Sequence, residues 1–304
     1  MGSTMLQLIT ECTQELGIPT PSTVVGNNSQ DVVQLLALMN ACGYELLRRA
    51  DWRELTRQHT FYTEALTTTG TWTDSAYTIT NIPSTATLST AYQVQGVGIP
   101  NATYISSVDS ATQVTLNYEP TEGQIDGQLV FQKVKYDLPA DYVSTVNRTH
   151  WDKSKRWEML GPESPQQWEW LLSGYISTGP RIRWRLLGKY FQIWPGMNAG
   201  ELLGFEYRSK AWAYNAAGTP QNSFTADDDT CVYPDRLMVL GTKLKYFEAK
   251  GFDTTALYRD YLMEFETAVA QDTAGANLSF APRPGTVLIG YDNIPDSGYG
   301  TDSQ

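Results

Sequence analysis

The chain has 304 residues, of which 41% are hydrophobic and 12% aromatic, enough for two globular domains or one domain with an insertion. Its net charge of −11 excludes a surface built as a whole to grip nucleic acid. The three cysteines are few and far apart, which excludes a disulfide framework and fits a reducing compartment.

The first apolar period is helical: Leu6, Leu8, Ile9, Cys12 and Leu16 recur up to Gly17, which reads as the C-cap. After the loop "IPTPSTVVGNNS", Asn28 or Ser29 caps a second helix from about Gln30. Its stripe is Val32, Leu35, Leu36, Met39, Gly43, Leu46 and Leu47, one face for about five turns, so it packs against other helices. Cys12 and Cys42 fall within these patterns as small core residues.

The period then changes to two around His59, Phe61 and Thr63, and a β unit of about 70 residues follows, Leu66 to Lys135. Its predicted strands are Tyr77–Ile82, Ala91–Val97, Thr103–Val108, Gln113–Tyr118 and Gln128–Val134, with turn signals roughly every 8–12 residues between them. "YDLPADY" at Tyr136–Tyr142 closes the unit. "SPQQWEWLLSG" predicts a short helix with Ser164 as cap and Pro165 at its first position. "RIRWRLLGKYFQIWPG" and "ELLGFEYRSKAW" read as adjacent strands joined by the "PGMNAG" turn. Helices return at Pro234, with Leu237, Leu240, Leu244 and Phe247 on one face and Gly251 as terminator. Asp253 caps the last, whose stripe is Leu257, Tyr261, Leu262, Phe265 and Val269.

From Gly275 the pattern stops: three prolines and five glycines interrupt any period, yet "TVLIGY" is too apolar for a plain solvated tail. An extended arm that docks on something is the preferred reading. The expected fold class is therefore α+β. The N- and C-terminal helices form one bundle, a small all-β domain is inserted between them, a further β-hairpin region follows, and a C-terminal arm extends from the body. The expected divisions are 1–65, 66–135, 136–274 and 275–304.

Catalysis finds little support, and no cofactor or metal is expected. His59 and His150 are far apart and in no zinc spacing. No phosphate loop, nucleophile elbow or CxxC pair is present. The acidic run Asp227–Asp229 lacks the alternating ligands and distal glutamate of a calcium loop, and reads as a solvated loop that places negative charge near a helix start. No basic stretch leads into an apolar one at the start, and no apolar run approaches the ~20 residues of a membrane span.

The densest signal is aromatic. Trp151, Trp157, Trp168, Trp170, Trp184, Trp194 and Trp212 are seven of the nine tryptophans and sit within about sixty residues. Arg148, Lys153, Lys155, Arg156, Arg181, Arg183, Arg185 and Lys189 interleave with them. An aromatic core, a protein interface, a nucleic-acid groove and a carbohydrate platform all stay open. On one strand, Arg181, Arg183 and Arg185 share a face, which suits an acidic partner. With Trp184 they are the candidate subunit or tail interface.

The order of these elements resembles the head-to-tail adaptor proteins of short-tailed bacteriophages, also called tail tubular or head-completion proteins. The residues that carry the resemblance are "DVVQLLALMNACGYELLRRADWREL" running into "RQHTFY", then "YDLPADYVSTVNRTHWD", "LLGKYFQIWPGMNAGELLGFEYRSKAW" and "DDDTCVYPDRLMVLGTKLKYFEAKGFD". "VQGVGIPNATYISSVDSATQVTL" resembles a β module of phage structural proteins; the smallest members of the adaptor family lack that insertion. The resemblance spans about residues 5–275. It implies a virion structural protein, assembled in the host cytoplasm, that forms a homo-oligomeric ring of about twelve copies. The portal protein would lie above and the tail nozzle protein below, with tail fibre or tailspike as a further neighbour of the β part. DNA would pass through the lumen without sequence-specific binding. The helices would form the ring wall, and the arm would dock into the portal through Leu278, Phe280, Val287, Leu288, Ile289 and Tyr291. The alternative function is a tail-associated or secreted carbohydrate-binding module. A metal-dependent hydrolase using Asp227–Asp229 is a remote third.

Overall fold

The structure, a computed structural model, describes residues 2–173 and 182–272. Within them the fold is α+β, with five α-helices and several small antiparallel sheets.

Helix α1 (Met5–Leu16) begins with a capping box between Thr4 and Gln7 and ends at Gly17 in the left-handed conformation. Helix α2 (Gln30–Arg49) starts at Ser29, whose side chain makes no capping bond; instead Ser29 N donates to Asn27 Oδ1 (2.8 Å). Helix α3 (Pro165–Leu172) has the expected Ser164 cap, closed by Gln167 into a capping box. Helix α4 (Asp235–Lys250) is flanked by Pro234 before it and by Gly251, in the left-handed conformation, after it. Helix α5 (Thr255–Asp272) follows, with Asp253 Oδ1 accepting from Thr255 N (3.0 Å).

Helix α4 packs against α1, α2 and α5. One hydrophobic cluster draws on all four, including Leu8, Cys12, Leu35, Met39, Cys42, Leu240 and Tyr261. Cys12 and Cys42 are fully buried, and burial pushes both thiols up to about 12, so they act as small apolar groups. At the edge, Glu15 of α1 pairs with Arg236 and Lys243 of α4. The approach is close where Gly43 of α2 faces Trp212: a Cβ there would lie 2.3 Å from the indole. Alanine's gain in helix propensity is about 1 kcal/mol, whereas overpacking costs about 1–3 kcal/mol. Gly43→Ala is therefore expected to lower stability by up to about 2 kcal/mol in urea unfolding. A stabilised variant would show that the indole can move aside.

Between α2 and α4 lie the sheets. Ala65–Trp72, Gln124–Lys133 and Tyr92–Gly96 form one, with the long strand in the middle; Thr78–Ile79, Gln113–Leu116 and Ile105–Ser110 form another. Their inward residues, among them Trp72, Ile79, Val94, Val114, Leu129 and Phe131, make a separate core drawn only from this stretch. Ala65–Trp72 was not among the predicted strands. Tyr77–Ile82 shrinks to two paired residues and a Thr71–Thr80 bridge, and Gln128–Val134 begins four residues earlier.

The expected hairpin across "PGMNAG" is not formed. The first half of that stretch is a hairpin by itself: Arg183–Leu187 pairs with Tyr190–Trp194 around a two-residue turn. Gly188 takes the left-handed conformation (φ 59°) that such a turn demands. Leu202–Ser209 pairs instead with Thr56–Tyr62, Tyr142–Thr145 and Trp151–Asp152. Side chains from the two assemblies meet in a third core that includes Tyr136, Trp184, Phe191, Ile193, Leu203 and Phe205.

Candidate interaction surface

The motif "YDLPADYVSTVNRTHWDKSKRW" folds around the strand Leu202–Ser209. Asp141 anchors it, accepting from Tyr207 Oη (2.9 Å), Ser209 Oγ (2.5 Å) and Arg57 Nη1 (3.3 Å). Burial works to raise this carboxyl's pKa, but the two hydroxyls and the Arg57 charge outweigh it and hold the pKa below the ordinary aspartate value. Thr149 Oγ1 donates to Val146 O (2.6 Å) and accepts from Glu206 N (3.0 Å), fixing the chain just before the short strand Trp151–Asp152.

The side chains then alternate. His150 is buried, stacked 3.7 Å from the Trp184 ring centre and 5.3 Å from that of Phe205. Its Nε2 lies 2.8 Å from Thr145 Oγ1, while Nδ1 has no partner among the described residues. Trp151 faces out, 42% exposed. Asp152 is buried and accepts from Lys155 N (2.9 Å), which closes the turn into Trp157–Glu158. Ser154 Oγ accepts from Leu202 N (2.7 Å), and Lys155 pairs with Glu201 (2.9 Å).

This pinned turn builds an open cleft of about 410 Å³ lined by Gln58, Arg148, Trp151, Lys153, Arg156 and Glu206. The Lys153 stem lies along Gly204, where a Cβ would meet its Cε at 2.9 Å. Among the described residues, Arg148, Lys153 and Arg156 form no ion pair. Arg148 and Arg156 both adopt positive φ, 63° and 59°. The left-handed region costs an L-residue about 1–2 kcal/mol.

The residues singled out from sequence fall differently. Trp184 is 1% exposed, so as an interface residue it is corrected: its ring is core. Arg183 and Arg185 do share a face, but neither is a free cation facing water. Arg183 pairs with Glu163 at 2.5 Å, and Arg185 lies 4.5 Å over the Trp168 ring and donates to Gln192 Oε1 (2.7 Å). Arg181 and the arm residues Leu278, Phe280, Val287, Leu288, Ile289 and Tyr291 lie outside the described residues. The tryptophan cluster divides: Trp168, Trp184, Trp194 and Trp212 are core, and Trp151, Trp157 and Trp170 are exposed. The exposed three make no single row. Trp151 pairs across the ribbon with Glu158 and Trp157 with Asp152, so their rings take opposite faces, and Trp170 belongs to α3.

The acidic run is not a solvated loop. Asp227 accepts from the backbone N–H of Val24 (3.1 Å) and Val25 (2.8 Å), and fully buried Asp229 accepts from Thr225 N (2.6 Å) and Ala226 N (2.8 Å). Their carbonyls receive Met5 N and Leu6 N at the start of α1. The run is a clasp that ties the first helix and the following loop to the approach to α4. Among the described residues no group of three histidine, cysteine or acidic side chains is placed to hold a metal ion, and no helix is long and apolar enough to cross a membrane.

No protein-family model matches the chain, and no curated protein matches it.

Proposed function

We propose that this chain is a virion structural protein, a head-to-tail adaptor that forms a ring of about twelve copies between the portal protein and the tail nozzle protein. In this reading α1, α2, α4 and α5 are the ring wall, 66–135 is an inserted β domain directed towards the nozzle or the tail fibres, and DNA passes through the lumen. The observation that carries it is the one core shared by helices from both ends of the chain, with a separate β core between them in sequence. That arrangement leaves the segment after α5 to act as an arm. The order of helices and strands along the chain is the one that gave the resemblance, except that the hairpin across "PGMNAG" is not formed. A heterologous ring needs two different complementary surfaces on each subunit, and the cationic cleft beside Trp151 supplies one.

The arm gives the test. Deleting residues 275–304 is expected to leave thermal unfolding unchanged and to abolish docking on the portal, because in this reading Leu278, Phe280, Val287, Leu288, Ile289 and Tyr291 are the anchors of the arm. Docking that survives the deletion, scored by co-sedimentation with isolated portal, would remove the arm from the proposal.

One observation favours the glycan-binding alternative. A cleft of about 710 Å³ between the β unit and α3 is lined by Tyr77, Tyr104 and Tyr118 with Asn101, Asn117 and Glu169, a mix of rings and hydrogen-bonding groups that suits sugars. A carbohydrate array separates the two readings: the adaptor reading expects no retained glycan.

A further inference from the structure

The charge of this chain is segregated. Between Ala65 and Gln132 there are five carboxylates and no lysine or arginine. Three of the five come together at one end of the β unit. A Cβ on Gly123 would touch the backbone of Thr73 and Asp74 at 3.2–3.4 Å, and Asp126 N donates to Thr71 Oγ1 (3.3 Å). Asp74, Glu122 and Asp126 are all exposed there, and Ile125 stands among them 84% exposed. This end of the molecule is an acidic knob with an apolar tip.

The cleft beside Trp151 is its complement: three cations without an ion-pair partner among the described residues, around a half-exposed indole, against two lining carboxylates, Glu206 and the buried Asp152. The backbone marks the two arginines. Among the described residues, the other non-glycine positions with positive φ are Ser75, Asn81, Ala102 and Asp126, all with short side chains. Arg148 and Arg156 are the long ones, and both line this cleft. Glycine would fit both positions without strain. A strained backbone that keeps a long cation aimed at one cleft points to use of that cation.

We propose that the acidic knob of one copy docks into the cationic cleft of the next, with Asp74, Glu122 and Asp126 against Arg148, Lys153 and Arg156 and with Ile125 against Trp151. The inference rests on the self-assembling part of the adaptor reading and not on the portal. A second copy fits better than nucleic acid for two reasons. A long polyanion leaving the cleft would run on over a chain of net charge −11, whereas the knob is short and ends in the apolar Ile125, which Trp151 can meet. Glu206 also lines the cleft and interrupts any continuous track for phosphates. The contact is head-to-tail, because knob and cleft are different surfaces, so it propagates from copy to copy and closes into a ring when the rotation allows.

The test is reciprocal charge reversal in the full chain, with self-association read by sedimentation velocity. The parent is expected to associate in about 0.05 M salt and to dissociate in about 0.5 M salt. R148E/R156E and E122K/D126K are each expected to weaken association at least about tenfold. An equimolar mixture of the two is expected to recover it, since the reversed knob then meets the reversed cleft. R148G/R156G guards against a folding artefact: it relieves the strain, so it is expected to melt no lower than the parent while still associating less. A parent that stays monomeric in low salt, variants that associate like the parent, or a mixture that does not recover each overturn the inference. So does a cleft variant that loses only the binding of a labelled single-stranded oligonucleotide, which would assign the cleft to nucleic acid. None of these results bears on portal docking, which is read separately on isolated portal and on tailless heads.

Discussion

Replacing Trp212 with alanine is expected to destabilise the folded chain by about 4 kcal/mol, within the range for deleting a fully buried large aromatic. Trp212 is 0% exposed and sits just beyond the strand Leu202–Ser209, yet it belongs to the helical core. Its ring meets Phe224 edge-on at 5.0 Å and Tyr44 at 6.2 Å, and stacks near Tyr233 at 5.9 Å. It also fills the notch that Gly43 leaves in α2. The indole Nε1 has no partner among the described residues, so truncation breaks no hydrogen bond and the loss reads as packing alone. Urea unfolding measures it. A loss under about 1 kcal/mol would mean that the surrounding rings collapse into the cavity and that Trp212 does not tie the sheet layer to the helices.

The second expected result is a pH dependence centred on His150. Burial against Trp184, Phe191 and Phe205 pushes its pKa down from 6.5 to about 4. In the unfolded chain the imidazole takes a proton near pH 6.5, whereas in the fold it stays neutral until about pH 4. The unfolded state therefore binds more protons across that window. The stability held by the neutral ring is full above pH 6.5 and is lost as pH falls towards 4, by up to about 3 kcal/mol. His59 shifts in the same direction, lowered by burial against the opposing pull of Asp141. His150→Phe keeps the stack and removes the titration. Between pH 6.5 and 4 its stability is expected to fall by about 3 kcal/mol less than that of the parent. Parallel curves would show that water or a rearranged Thr145 solvates the imidazolium in the fold.

The helices were legible because their signals are local. A 3.6-residue stripe, Gly17 and Gly251 at the stops, and Ser164-Pro165 at a start each act within one or two turns. The strand Ala65–Trp72 was not, because "ALTTTGTW" holds five threonines and glycines in a row and shows no apolar alternation. Pairing was harder still. Leu202–Ser209 has the same alternating pattern whether its partner is the preceding hairpin or Thr56–Tyr62, some 140 residues away, and nothing local distinguishes the two.

The candidate surface was half legible. "RIRWR" offered a periodic row of arginines, but their partners Glu163, Trp168 and Gln192 come from elsewhere in the fold, so the row looked free when its two described members are engaged. "NRTHWDKSKRW" carried the better signal. His150, Trp151 and Asp152 alternate in, out, in, and Asp152 caps the turn that displays Arg156. Two arginines in left-handed backbone cannot be read from sequence at all, since their conformation is imposed by contacts such as those of Ser154 and Thr149 with the strand 201–206 region. The acidic clasp was hidden for the same reason: the donors to Asp227 lie about 200 residues earlier in the chain.

The measurement that tests the adaptor reading most directly is imaging of DNA-filled, tailless heads after incubation with the purified full chain. A ring added at one vertex, the portal vertex, and at no other is the expected result. Heads whose vertices all stay bare, with the chain shown to be folded by its thermal unfolding, would contradict it.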